Sequence, residues 1–200
     1  YINQFPSYMD LVVVSTTADA RHQMVVKLLE TLKIKVGYWI LEKPLVQSID
    51  DLDKFDSLFI EKNNVWVNMS RRLMKWHINI RDIIPKEFPL NAVYSGKTWG
   101  IACNAVHILD YFSWLTKEKL VSIETKGLES KWYESSRERF FDVDGTILAS
   151  YSGGSNLILS SENKEQDYIL KITSTNKKWA INFSKQLFEG ENNISIKGRE

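Results

Sequence analysis

Two short apolar runs constrain this chain more than any other feature. Residues 11–15 (LVVVS) and 38–41 (YWIL) are brief and continuous, and between them Met24, Val25, Leu28, Leu29 and Leu32 recur at helical spacing. A continuous apolar run of this length fits a strand covered on both faces of a parallel sheet. The second run is ended by Pro44. Ser48 then stands as a helix N-cap, with Asp50 and Asp51 near the positive helix end, ahead of Leu52, Phe55, Leu58 and Phe59. Residues 65–69 (VWVNM) give a third strand, and residues 76–84 (WHINIRDII) a helix with Trp76, Ile80, Ile83 and Ile84 on one side. Strand, helix, strand, helix, strand is the pattern of an α/β doubly wound parallel sheet.

After Pro89 the pattern changes. One helix, roughly residues 104–115, buries Ala105, Ile108, Leu109, Phe112 and Leu115. From Lys119 onward the chain is almost wholly strand-like: Val121/Ile123, Leu157/Leu159, Leu170/Ile172 and Trp179/Ile181/Phe183 alternate with period two. Asp144-Gly145 and Gly153-Gly154 read as hairpin turns between such runs. An α+β domain with an open antiparallel sheet, wet on one face, is expected there. The boundary falls near residue 88, dividing the chain into 1–88 and 89–200.

Charge narrows the function classes. With 26 Lys+Arg against 25 Asp+Glu the net charge is +1, which argues against a nucleic-acid-binding surface. No run is long and apolar enough for a transmembrane helix, and YINQFPSYMD lacks the basic start and apolar core of a signal peptide. The single cysteine, Cys103, forms no internal disulfide. Glycosylation sequons occur at Asn68, Asn182 and Asn193; the first two lie in strand-like runs, and all three read as chance. A cytoplasmic protein without a membrane partner is the expectation.

Three constellations carry chemistry. Glu42-Lys43-Pro44 sits at the carboxyl end of a buried parallel strand, where open α/β sheets bind ligands. Proline turns the chain there and holds the lysine in one direction, although a solvated strand end is the other reading of the tripeptide. Ser15-Thr16-Thr17-Ala18-Asp19 follows the first strand. Its small hydroxyl residues let a nucleotide approach and offer hydrogen bonds to ribose, while Asp19 also makes a good helix cap. On the later helix Cys103, His107 and Asp110 share one face, with Asn104 a turn before His107. His107 is there either as a general acid/base or as a structural histidine satisfied by Asp110. A cysteine-protease pair of Cys103 with His107 lacks an oxyanion hole and a third group, and His22, His77 and His107 lack metal-ligand spacing. Arg71-Arg72, after the third strand, offers either a phosphate- or sugar-binding pair or a solvated strand end.

In this order, DLVVVSTTADARHQMVVKLLE, YWILEKPLVQSIDDLDKF, VNMSRRLMKWHINIRDII and WGIACNAVHILDYFSWL resemble the glucose–fructose oxidoreductase/inositol dehydrogenase (Gfo/Idh/MocA) family over about residues 10–115. The resemblance implies a partial Rossmann domain joined to an open antiparallel sheet that binds substrate and builds a homo-oligomer. It implies NAD or NADP as cofactor, with Ser15, Thr16, Thr17, Glu42 and Arg72 as its candidate contacts. Lys43 and His107 become the catalytic pair, and Lys43, Cys103, Asn104 and His107 the substrate contacts. The implied reaction moves a hydride between the nicotinamide and a hydroxyl of a sugar, polyol or nucleotide-sugar. A non-catalytic sugar-binding or assembly module is the alternative. The family's glycine-rich phosphate loop and first strands are absent from this sequence, which opens at a buried strand as though cut into a longer protein. Many members carry Asp where Cys103 stands here.

Overall fold

The computed structural model describes residues 5–59, 64–84, 89–135, 137–162, 164, 166–190 and 194–198. The chain divides into two compact units, residues 1–69 and 70–200. The boundary expected near residue 88 falls on 85–88, outside the described residues.

The first unit runs β1 (Tyr8–Val14), α1 (Ala18–Val26, extended by a wider turn over Lys27–Thr31), β2 (Lys35–Leu41), α2 (Ile49–Ser57) and β3 (Val65–Val67). The strands form a parallel sheet in the order β1-β2-β3, with Val14 beside Leu41 and Leu41 beside Val67. Ser48 caps α2 as expected, its hydroxyl accepting the Asp51 N–H at 3.1 Å. For α1 the N-cap is Thr17, and Asp19 lies inside the first turn instead. Val14, Val25, Leu28, Ile34, Trp39, Leu41 and Phe55 make the core.

Those strands are not covered on both faces, as their continuous apolar runs suggested. Val12 and Val14 turn inward, whereas Leu11, Val13, Tyr38 and Trp66 are exposed. Val25 of α1 and Phe55 of α2 share one core with Val14, Trp39 and Leu41, so both helices lie on the same side of the sheet, as successive crossovers of one hand in the order β1-β2-β3 require.

The second unit holds a 3₁₀ turn (Ser70–Leu73), α3 (Lys75–Ile83), β4 (Asn91–Lys97), α4 (Ile101–Thr116), β5 (Leu120–Glu134), β6 (Phe141–Tyr151), β7 (Asn156–Glu162), β8 (Ile169–Ser174), β9 (Lys177–Asn182), β10 (Leu187–Glu189) and β11 (Ser195–Lys197). Its eight strands lie in the order β11-β10-β9-β8-β4-β7-β6-β5, antiparallel throughout except for the parallel pair β4–β7. One face packs on α4 through Ile101, Ala105, Ile108, Phe112 and Leu115, and Ile80 of α3 joins the same core. Leu157, Leu159, Leu170, Ile172, Trp179 and Ile181 are buried as their alternation predicts.

Two expectations fail here. Val121 and Ile123 alternate like core residues but are exposed, because β5 is an edge strand. Asp144-Gly145 is not a turn: it lies inside β6, where the pairing with β5 shifts register. Gly145 has φ +122°, and a Cβ there would stand 2.5 Å from the Gly127 carbonyl oxygen, so this bulge requires glycine. Gly153-Gly154 does turn β6 into β7.

Candidate functional site

In the first unit the sheet gathers three strand ends. The Glu42 N–H donates to the Val14 carbonyl (3.1 Å) and the Asn68 N–H to the Leu41 carbonyl (2.7 Å), so Ser15, Glu42 and Asn68 follow adjacent strands. Both Glu42 carboxylate oxygens are used: Asn68 Nδ2 donates to Oε1, and the Lys43 N–H to Oε2 at 3.2 Å. The next peptide, Lys43–Pro44, is cis.

Sequence reasoning missed the residue that ties these loops together. Arg21 projects from α1 and is only 1 % exposed. Its Nη1 donates to the carbonyls of Pro44 and Leu45 (2.9 Å to the latter), and its Nη2 to the carbonyl of Thr16. One guanidinium thus links the loop after β1 to the loop after β2. Burial lowers its pKa from the ordinary arginine value, and the charges of Glu42 and Asp19 oppose that shift. The signal was present: Arg21 interrupts an apolar helix stripe that continues with Val25 and Leu28.

A dinucleotide fits this corner in part. Thr16 Oγ1 is buried with no hydrogen-bond partner among the described residues, beside the exposed Ser15, which suits a ribose hydroxyl. Gly37, the single glycine of residues 1–69, lies within β2, so no glycine turn in this unit cradles a pyrophosphate.

The second unit carries the helical candidates on α4. Gly100 is the N-cap, at φ +73°, and the capping carboxylate comes from elsewhere: Asp142 Oδ1 accepts the N–H groups of Ala102 (2.8 Å) and Val143 (2.9 Å). Cys103 is exposed, while Asn104, His107 and Asp110 are half-buried. Asn104 Nδ2 donates to the Trp99 carbonyl at 2.8 Å. The Asp110 carboxylate is engaged by Arg72, whose Nε donates to Oδ2 at 2.7 Å and whose Nη2 donates to Oδ1. Arg72, expected at a cofactor, thus forms a bidentate ion pair with the residue expected behind His107. Lys43 belongs to the first unit and His107 to the second.

Beside Asn104 lies a cleft of about 220 Å³ lined by Arg71, Tyr94, Trp99, Asn104, Ile108 and Tyr168. Its walls are aromatic: the Tyr94 and Trp99 rings meet edge to face at 4.9 Å. Arg71 sits over the Phe183 ring, 4.8 Å from its centroid. Burial lowers the Arg71 pKa and pushes the Tyr94 hydroxyl up to about 12. Behind the cleft, His77 Nδ1 lies 3.0 Å from the Tyr111 hydroxyl, and burial, helped by the Arg71 charge, takes its pKa down to about 4. Among the described residues, no group of three or more His, Cys, Asp or Glu is gathered to hold a metal, and no helix is long and apolar enough to cross a membrane.

No family model matches the sequence, and neither does any curated protein. Solved structures do match the fold. The UDP-N-acetylglucosamine 3-dehydrogenase GnnA from Acidithiobacillus ferrooxidans is similar with a TM-score of 0.67 at 14 % identity, over 96 % of this chain and 64 % of its own. The dehydrogenase MviM from Clostridium difficile gives 0.64 at 15 % identity, over 96 % and 63 %. A super-repressor mutant of Gal80p from Saccharomyces cerevisiae gives 0.71 at 13 % identity, over 94 % and 60 %. The chain therefore has the fold of Gfo/Idh/MocA-type oxidoreductases and spans somewhat over half the length of these structures.

Proposed function

We propose that this protein is an NAD(P)-dependent oxidoreductase acting on a hydroxyl of a sugar, polyol or nucleotide-sugar. The observation that carries the reading is the Glu42-Lys43-Pro44 corner, set at a parallel strand end beside Ser15 and Thr16 and pinned by Arg21. Ser15, Thr16, Thr17 and Glu42 would hold the dinucleotide. A bound nicotinamide would supply the hydride acceptor for the carbinol carbon. His107 takes the proton of the same hydroxyl on an imidazole nitrogen. Lys43 orients that hydroxyl and stabilises the developing alkoxide through its ammonium charge. Asn104 and Cys103 contact the sugar, and Arg72 acts through Asp110 by fixing α4.

The test starts with titration of the chain by NADH and NADPH, read as energy transfer from its seven tryptophans. Saturable binding is expected, followed by turnover on a sugar panel. Lys43→Met and His107→Ala should each lower kcat by at least about 100-fold while leaving the far-UV spectrum unchanged. Activity within a few-fold of the parent in either variant would remove that residue from the mechanism.

A second reading, a non-catalytic sugar-binding or assembly module, is favoured by the exposed Cys103 in the place of an aspartate. Nicotinamide binding without turnover on any sugar would select it. Under either reading we place the self-association surface on the eight-stranded sheet, along its β5 edge, where Val121, Trp132 and Phe141 are exposed.

A further inference from the structure

We propose that the cleft beside α4 seats a carboxylate carried on a single sugar ring, and that Arg71 is the residue that selects it. The proposal rests on the sugar-binding reading above and names the substrate class for it.

The three arginines near the candidate sites make the contrast. Arg21 spends its Nη1 and Nη2 donors on three carbonyls, leaving only Nε without a partner among the described residues, and Arg72 has its charge met by Asp110. Arg71 has neither arrangement. Its Nη1 is buried with no hydrogen-bond partner among the described residues, and the groups that raise its pKa are the phenols Tyr94 and Tyr111, not a carboxylate. Stacking on Phe183 compensates part of the lost hydration, but a ring face supplies no acceptor for the N–H groups. A desolvated guanidinium without a counter-ion is costly, and an anionic ligand relieves that cost.

The surroundings define the anion. Among the described residues Arg71 is the single charged one lining the cleft, and the neighbouring His77 is neutral at pH 7. One cation matches a monoanionic carboxylate through the two-pronged geometry of its N–H groups; a phosphate dianion would call for a second cation. The remaining lining defines what carries it. Tyr94, Trp99 and Tyr168 offer flat apolar faces with polar edges, and Asn104 adds an amide, which suits a hydroxylated ring. Gly96 is part of this build: a Cβ there would stand 2.3 Å from Tyr168 Cδ1, so the Tyr168 ring needs the bare backbone of β4 to lie where it does. At about 220 Å³ the cleft admits one ring and excludes a dinucleotide.

The experiment uses the 200-residue chain without nicotinamide, so that it is independent of turnover. D-glucuronate, D-galacturonate, D-glucuronamide, D-glucose and acetate are titrated against tryptophan fluorescence and by calorimetry. At least one hexuronate should bind saturably, with D-glucuronamide, D-glucose and acetate each at least about 10-fold weaker. Arg71→Met should remove the preference of glucuronate over its amide, and Arg71→Lys should keep part of it. Equal affinity for glucuronate and glucuronamide would overturn the anion proposal and leave the sugar reading standing. Acetate binding as tightly as the hexuronates would overturn the proposal through the sugar reading instead. No binding by any hexuronate would overturn it outright.

Discussion

His77 shows how one buried side chain ties this fold to pH. It is 2 % exposed, shares a hydrogen bond with Tyr111, and has its pKa lowered to about 4 by burial and by the Arg71 charge. In the unfolded chain it titrates near the ordinary value of 6.5. Between pH 6.5 and 4 the unfolded state therefore binds the extra proton, and stability falls as pH falls through that window. Above pH 6.5 the contribution is complete; by pH 4 the loss reaches up to about 3 kcal/mol. Urea midpoints at pH 7, 5.5 and 4.5 test this: the parent should lose stability more steeply than His77→Gln, and parallel losses would remove His77 as the cause. At this scale the sequence announced residue types better than their partners. Arg72 and Asp110 were both visible as polar, but their pairing spans 38 positions and no local pattern encodes it. Arg21 was legible only as a charge on an apolar stripe, and Arg71 as one half of a surface-like pair.

Among the elements, α4 was the most legible and its start the least. Its apolar stripe predicted the buried face, yet the helix begins at Ile101, ahead of the expected residue 104, because its cap is Asp142 on β6. Asp142 is 2 % exposed and satisfies two backbone N–H groups, one of them in the positive first turn of the helix. Asp142→Ala should cost about 2–4 kcal/mol in urea unfolding, by leaving both donors unmet where water is scarce. A loss below about 0.5 kcal/mol would show that water replaces the carboxylate. The β elements divide in the same way. Alternation located β7, β8 and β9, where burial enforces it. It misplaced Val121 and Ile123, because a strand's pattern does not say whether the strand lies at the edge of its sheet. The Asp144-Gly145 pair reads as a hairpin by residue type, whereas here the glycine serves a bulge between long paired strands.

For the whole molecule, the order of strand-helix pairs followed by strands announced the two-part architecture, since each layer leaves its own period in the sequence. What covers each layer was not legible, because exposure is decided by neighbours far along the chain. The eight-stranded sheet leaves Val121, Trp132 and Phe141 in solvent on and beside its β5 edge. Self-association there should weaken in the pair Val121→Asp with Trp132→Asp, read by sedimentation as a shift toward the monomer; an unchanged distribution would move the interface elsewhere. The first unit's sheet has a different consequence. Leu11, Val13, Tyr38 and Trp66 already meet water in the folded chain, so unfolding exposes little new apolar area from that face. The heat-capacity increment of residues 1–69 should therefore lie below the usual ~12–15 cal/mol/K per residue, as calorimetry of that unit would read. Its stability curve should be correspondingly flat, with a free energy that changes slowly on cooling.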